Sequence, residues 1–355
     1  MYYVQLIFQF QYIMEIGIGM FGDLSFNPDT KEFQPAGERL HQIIEQIKLA
    51  DELEIDLISL GEHHRPDYSI SSTEIVLAAL ATVTKRIKLA SGVTVLSSAD
   101  PVKVYQDYAT IDLISNGRAE IIAGRGSFIE SFPLYGYNLK DYNSLFEEKI
   151  ELLHKINNEN PVTWSGKHRA ALQNQPVYPQ ADRPIPIWIA VGGTPESVHR
   201  AARLGLPLIV AIIGGQPKQF KPLIEFYKEE YIAFGHDPEK MQIGVHSHTF
   251  VADNREKLIE NYFPVYAAQM DRVGASRGWA PYAKQQFLHG IDPEGALYMG
   301  EPNYVAEKII QTIEMFKISR YVAHIDIGAP SHKDMMRCIE LLGTKVIPQV
   351  RSAFV

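Results

Sequence analysis

Asp56-Leu57-Ile58-Ser59-Leu60, then Gly61-Glu62-His63-His64-Arg65, then a helical stretch from Ser72 to Val83, then Ile87 to Leu96: this part of the chain decides the fold. A short apolar run, a turn carrying polar side chains, a helix-length segment and a second apolar run together make one βαβ unit. The same beat continues in both directions. Upstream, Ile16–Met20 is a strand, and Leu40, Ile43, Ile47 and Ala50 recur at helical spacing. Downstream, Val102–Ile114 reads as helix, Ala119–Ala123 as strand and Tyr142–Ile156 as helix. The segment 160–184 holds four prolines and reads as an insertion. The beat then resumes with Ile185–Val191, a helix through Leu204, Leu208–Ile213, a helix from Phe220 to Phe234, Ile243–Val251 and a helix from Arg255 to about Val273. Gly274–Gly300 is a second irregular stretch. Val305–Phe316 is helical, Tyr321–Ile327 is an eighth strand, and a last helix sets Met335, Ile339, Leu342 and Val346 on one face. Strands alternating with helices imply a parallel sheet. Eight of them favour closure into a (β/α)8 TIM barrel with insertions over an open doubly wound sheet.

Composition bounds the function. The chain has 355 residues, 46% of them hydrophobic and 21% charged, which is ample for a large core. The net charge of −8 argues against nucleic acid as a partner, since phosphate backbones need clustered Lys and Arg. The lone cysteine, Cys338, excludes an intrachain disulfide and any Cys-built metal cluster, and is expected to pack as a small buried residue. No metal site is expected, and the cysteine usage fits the cytoplasm. Met1–Ile13 is apolar, aromatic and uncharged. It lacks the basic start and cleavage site of a signal peptide and is too short to span a bilayer. It is expected to be an extension, residues 1–13, upstream of a natural start at Met14, with residues 14–355 forming one barrel domain and no membrane association.

Barrel chemistry sits on the inner strand faces at the carboxyl ends. His324 and Asp326 share one face of the eighth strand, and His246 and His248 one face of the seventh. Hydrogen-bonded structural histidines and catalytic ones fit this pattern equally. After the second strand, Glu62, His63 and His64 lie in one turn. Adjacent histidines point in different directions and chelate a metal poorly, so one of them reads as a base or donor in a pocket. After the fourth strand, Gly124-Arg125-Gly126-Ser127 encloses a guanidinium in a flexible turn, suited either to phosphate oxygens or to the surface. After the fifth, Gly192-Gly193-Thr194-Pro195-Glu196-Ser197 opens a helix whose N–H groups attract an anion. Thr194 at that start also reads as a plain N-cap. No Gly-x-Gly-x-x-Gly fingerprint or Walker loop is present.

These segments together resemble the bacterial luciferase-like, flavin-dependent monooxygenases. The likeness lies in Leu60–His64, in Ser91–Leu96 through Asp100-Pro101, in Leu113–Arg118 through Gly124-Arg125-Gly126, and in Ile189–Thr194 through Arg203–Pro207, in order along the chain from Met14. The resemblance implies a luciferase-like (β/α)8 barrel, often a homodimer. It implies FMN as cofactor, with reduced flavin supplied by a separate flavin reductase, and a small-molecule substrate oxidised by O2 in a dry pocket. It puts Arg125 on the FMN phosphate, with Gly192, Gly193, Thr194 and Ser197 completing that site. It puts Gly92-Val93, commonly a non-proline cis peptide, under the flavin ring next to Thr94. It gives His63 the role of catalytic base, with His64 and Glu62 beside it. Gly124 departs from luciferase, which has a reactive cysteine there, so light emission with long aldehydes is not expected. Phe128–Tyr137 and the aromatics Trp279, Tyr282 and Phe287 are candidate lid residues. Three alternatives stand beside this reading: hydride transfer with FMN or a deazaflavin, a non-catalytic flavin-binding protein, and an unrelated sugar-phosphate barrel.

Overall fold

The computed structural model describes residues 14–275 and 277–354; the expected extension, Met1–Ile13, lies outside the described residues. Eight strands form the barrel: β1 Glu15–Met20, β2 Leu57–Leu60, β3 Lys88–Ser91, β4 Ala119–Gly124, β5 Ile187–Val191, β6 Leu208–Ala211, β7 Ile243–Val251 and β8 Arg320–His324. Each pairs in parallel with the next, and β8 pairs with β1, so the sheet closes without an edge. The helices outside it are α1 Ala36–Glu52, α2 Thr73–Val83, α3 Pro101–Ser115, α4 Tyr142–Asn158, α5 Pro195–Arg203, α6 Lys221–Ala233, α7 Arg255–Ala275, α8 Lys284–Ile291, α9 Pro302–Phe316 and α10 His332–Leu341.

The start of α3 shows how local chemistry places these elements. The Asp100 carboxylate accepts from the N–H groups of Val102 and Lys103, at 2.9 and 3.2 Å, and Pro101 occupies the first helical position. Asn116, at φ 57°, ends the helix in the left-handed region. Outward-facing strand residues such as Ile58, Leu89 and Tyr321 join the helices in one large core.

Inward-facing residues fall into layers. At the amino ends, Arg320 bonds Glu15 and Glu120 and lies 4.0 Å from the centre of the Trp188 ring. Above this charged plug, Leu57, Ala90, Ile122, Trp188, Ile209 and Val322 fill the barrel. Gly17 and Gly244 complete that level, because a Cβ on Gly17 would lie 2.2 Å from Leu57 and one on Gly244 3.2 Å from Ile209. At the carboxyl ends small inward residues, Ser59, Gly92, Gly124, Ala190 and Ala211, stand beside His246 and His324, and a cavity opens over them.

Three expectations need correction. The run Ile87–Leu96 is not one strand: it breaks at Gly92-Val93, whose peptide is cis, and resumes as the two-residue strand Thr94–Val95 beside β4. The Gly274–Gly300 stretch is not irregular throughout. It contains α8, whose Phe287 and Ile291 sit four residues apart and are both buried, and a short strand, Tyr298–Gly300, that pairs with the end of β7. The last helix changes to π geometry at Leu342–Val346, although the four predicted residues are all buried. The proline-rich insertion forms an antiparallel pair, Val162–Trp164 with Leu172–Gln175. Cys338 is buried as expected, and burial pushes its thiol up to about 12. Among the described residues no helix is long and apolar enough to cross a membrane.

Candidate active site

The cavity at the carboxyl mouth encloses about 350 Å³. Its walls are mostly apolar, with Val93, Ile122, Ile209 and Phe128 among them; its polar groups include His63, His64, Arg125 and His246. Strand alternation explains the mixture, since each strand sends every second side chain inward and the cavity receives whatever stands at the carboxyl end.

The turns after β4 and β5 meet at the rim. The Arg125 guanidinium donates to Asn143 Oδ1 at 2.7 Å and to Thr194 Oγ1 at 3.2 Å, and stands 5.2 Å from the centre of the Tyr142 ring. Thr194 Oγ1 in turn donates to Ser197 Oγ at 2.9 Å. Thr194 occupies the N-cap of α5, but its hydroxyl bonds no backbone N–H there, so the simple capping expectation fails. The hydroxyl serves Arg125 instead, and Gly192 to Glu196 stay exposed with Ser197 buried beneath. Gly193, at φ 129°, turns the chain into the helix in a conformation that suits glycine. Asn143 and Tyr142 went unrecognised in the sequence, because the one-turn helix Ser131–Leu134 and its loop intervene before they return to the rim.

Under this rim lies the turn after β2. His63 is half-buried among rings: Phe21 at 4.7 Å, Tyr68 at 4.3 Å and Phe128 at 4.8 Å. Its Nε2 has no partner among the described residues. Burial lowers its pKa to about 3, so the ring is neutral. An unpaired buried ring nitrogen costs free energy on the order of 1–3 kcal/mol unless a bound molecule satisfies it. Glu62 is committed to the protein: Oε1 meets His64 Nε2 at 2.9 Å and Oε2 accepts from Val95 N–H at 3.0 Å. It thereby ties the β2 turn to the segment after the cis peptide. Gly92 and Val93 line the cavity, whereas Thr94 does not; its hydroxyl is buried 3.4 Å from Tyr108 Oη. A Cβ at Gly124 would lie 2.7 Å from Val93 Cγ2, so a side chain at 124 is incompatible with valine at 93.

The two candidate lid segments touch over the mouth. Arg277 donates to Ser127 O at 3.3 Å and stands over the rings of Phe128 and Trp279, at 5.3 and 5.2 Å. Phe287 takes no part: it is fully buried, packed on Phe263 and Tyr266. Tyr282 sits against Tyr266, half-buried. His246, His248 and His324 also line the cavity. Burial, reinforced by the neighbouring His324, lowers His246 to about 3 and holds His248 well below the usual histidine range.

A parallel barrel keeps its chemistry at this mouth, and a mostly apolar cavity with a few convergent polar groups belongs to an enzyme acting on a small molecule. Comparison gives the family: a model described as luciferase-like monooxygenase matches residues 14–316, and the chain belongs to that family. It is similar to the N-acetyl-S-alkylcysteine monooxygenase of Bacillus subtilis, 31% identical over 54% of this chain and 56% of that one. Two solved structures share the fold. One is the oxygenating constituent of 3,6-diketocamphane monooxygenase from Pseudomonas putida in complex with FMN, with TM-score 0.72, 22% identity, and coverage of 95% of this chain and 98% of that one. The other is the coenzyme F420 dependent tetrahydromethanopterin reductase from Methanopyrus kandleri, with TM-score 0.70, 20% identity, and coverage of 95% and 99%.

Proposed function

We propose that this chain is the oxygenase of a two-component flavin monooxygenase, binding FMN at the barrel mouth and oxidising a small, largely apolar organic substrate. One observation carries the reading: Arg125 and Thr194, from separate turns, lie 3.2 Å apart at the start of α5. The guanidinium, two hydroxyls and the N–H groups of a helix start form a site for a dianionic phosphate. The residues fit the cofactor further inward. Gly92 and Gly124 line the cavity where a flat ring would lie, and His63 Nε2 offers it a nitrogen unpaired among the described residues.

Reduced flavin, delivered by a separate reductase, supplies the two electrons that activate O2. The protein does the rest. Arg125, Thr194 and Ser197 would hold the phosphate, and Val93 would line the wall of the ring site. Phe128, braced by Arg65 and Arg277, keeps water from the site. His63 works as a neutral hydrogen-bonding group, and its low pKa excludes an imidazolium there at neutral pH. The exposed apolar side chains Ile75 and Val83 on α2 and Leu113 and Ile114 on α3 support a homodimer, which sedimentation tests directly. The buried, unpaired Cys338 accords with the cytoplasm.

The test is titration of the flavin-free chain with FMN, riboflavin and a deazaflavin. FMN is expected to bind about 10- to 100-fold more tightly than riboflavin, the worth of charge-assisted phosphate bonds. Arg125→Gln is expected to erase most of that difference. A deazaflavin preferred over FMN, with oxygen-independent turnover, would establish hydride transfer instead. Unaltered flavin reactivity in His63→Ala would point to a binding protein without turnover. No affinity for any flavin overturns the assignment.

A further inference from the structure

A line of hydrogen bonds leaves the cavity and ends in buried acid groups. His246 Nε2 is 3.1 Å from His324 Nδ1, and His324 Nε2 is 3.1 Å from Asp326 Oδ1. Asp326 also accepts from the N–H groups of Phe21 and Gly22, at 3.0 and 2.8 Å, and from Arg39 at 3.1 Å. His324, Asp326 and Arg39 are buried, while His246 stands on the cavity wall.

The donor and acceptor roles along this line follow from its buried end. A carboxyl group receiving three N–H donors, one of them a guanidinium, is ionised and accepts only. Nε2 of His324 therefore carries a proton. In the neutral ring Nδ1 is then bare, and His246 must donate to it from its own Nε2. That leaves Nδ1 of His246 as an unprotonated acceptor; among the described residues the ring's one side-chain hydrogen bond is that of Nε2.

We propose that His246, His324 and Asp326 form a proton relay that takes one proton from a reacting group in the cavity and stores it inside the barrel. The proton binds Nδ1 of His246. The Nε2–H bond of His246 breaks as that proton passes to Nδ1 of His324. His246 returns to neutral in its other tautomer, and His324 becomes an imidazolium against the Asp326 carboxylate. The reverse sequence returns the proton. His246 is the catalytic residue; His324 and Asp326 act through it.

Among the described residues, Asp326 is the one carboxylate bonded to His324. From β7, His246 and His248 face it, the latter with ring centres 5.5 Å apart; Phe21 covers it at 4.1 Å; His63 approaches from the β2 turn. Asp326 holds it from its own segment, with Arg39 and Asp23 behind that carboxylate. Burial and the proximity of Asp326 hold Asp23 well above the usual carboxylate range, so the second acid does not compete. Burial and the neighbouring His324 keep His246 itself neutral.

The identity of the reacting group rests on the flavin-oxygenase reading, whereas the relay is measurable in the flavin-free chain. In 15N-histidine-labelled protein at neutral pH, both His246 and His324 are expected as Nε2–H tautomers. On acidification His246 is expected to switch from Nε2–H to Nδ1–H without passing through an imidazolium. In His324→Gln that switch disappears. Independent titration of the two rings, or an Nδ1–H tautomer of His246 at neutral pH, overturns the relay whatever cofactor binds. In the loaded enzyme, His246→Gln and His324→Gln are each expected to lower kcat about 100-fold or more with KM little changed, and the double variant to lose no more than the worse single one. Unchanged kcat and pH profile in His246→Gln would reduce the line to packing.

Discussion

At the residue scale, the site depends on what is missing as much as on what is present. Gly124 and Val93 occupy one volume, because a Cβ on the glycine would come within 2.7 Å of a valine methyl group. Gly124→Ala is therefore expected to cost about 1–3 kcal/mol through overpacking. Val93→Ala, added to it, is expected to recover most of that loss. Urea unfolding of the two single variants and the double closes the cycle; additive effects would mean that the pair does not share space. This coupling was invisible in the sequence. Gly124 stood out as a departure from luciferase, but nothing in the linear order said that Val93 had filled the space. The placement of Thr94 was equally hidden. It follows the cis peptide directly, yet its hydroxyl turns to Tyr108, because adjacent residues on a short strand face opposite ways.

At the element scale, the start of α5 contrasts with that of α3. Asp100 caps α3 through two backbone N–H groups, and Asp100→Ala is expected to cost about 1 kcal/mol. Thr194 stands at the same position of α5 but caps nothing. Thr194→Ala is expected to cost a few tenths of a kcal/mol in stability while weakening FMN binding severalfold. Thermal unfolding beside an FMN titration separates the two effects; a loss near 1 kcal/mol for Thr194 would restore it as a cap. Helices and strands themselves were legible wherever the apolar period was clean, as in α1 and β7. They were misread where tertiary contacts decide. The α8 segment lies among glycines and prolines, and its helix is specified by burial of Phe287 and Ile291 against α7 and the Tyr298–Gly300 strand rather than by a long amphipathic pattern.

At the scale of the whole molecule, the barrel is closed below by charge and open above. Arg320 counters Glu120 in the plug; burial works against the Glu120 carboxylate, but Arg320 and Lys88 hold it below its usual range. Arg320→Met is expected to cost about 3 kcal/mol by leaving the buried Glu120 with Lys88 alone as counter-charge, read by urea unfolding. The buried histidines make a second prediction. Burial holds His63 and His246 near about 3, against 6.5 for an unperturbed histidine. Between these values the unfolded chain binds protons that the folded chain does not. Stability is therefore fully present above about 6.5 and drains as pH falls toward 3, by up to about 1.4 kcal/mol per pH unit for each ring. Urea unfolding at pH 7, 6 and 5 measures the slope, and His63→Gln is expected to flatten it. A wild-type stability unchanged from pH 7 to 5 would mean that these rings are protonated in the folded state.

By itself the sequence determined the eight-fold alternation of strand and helix, the turns at which polar residues cluster, and the family likeness. These are local properties: period, turn chemistry and short motifs survive in one dimension. Tertiary structure decided which turns meet. Arg125 and Thr194 are 69 residues apart, as are Asp326 and Arg39 by 287, and they touch because barrel closure brings all the carboxyl ends to one rim. It also decided which histidine is isolated and which is wired to an acid. The chain marked His63 by its turn motif and His246 only by its strand face, and the packing around each ring gives Nε2 of the first no partner among the described residues and the second a path into the core.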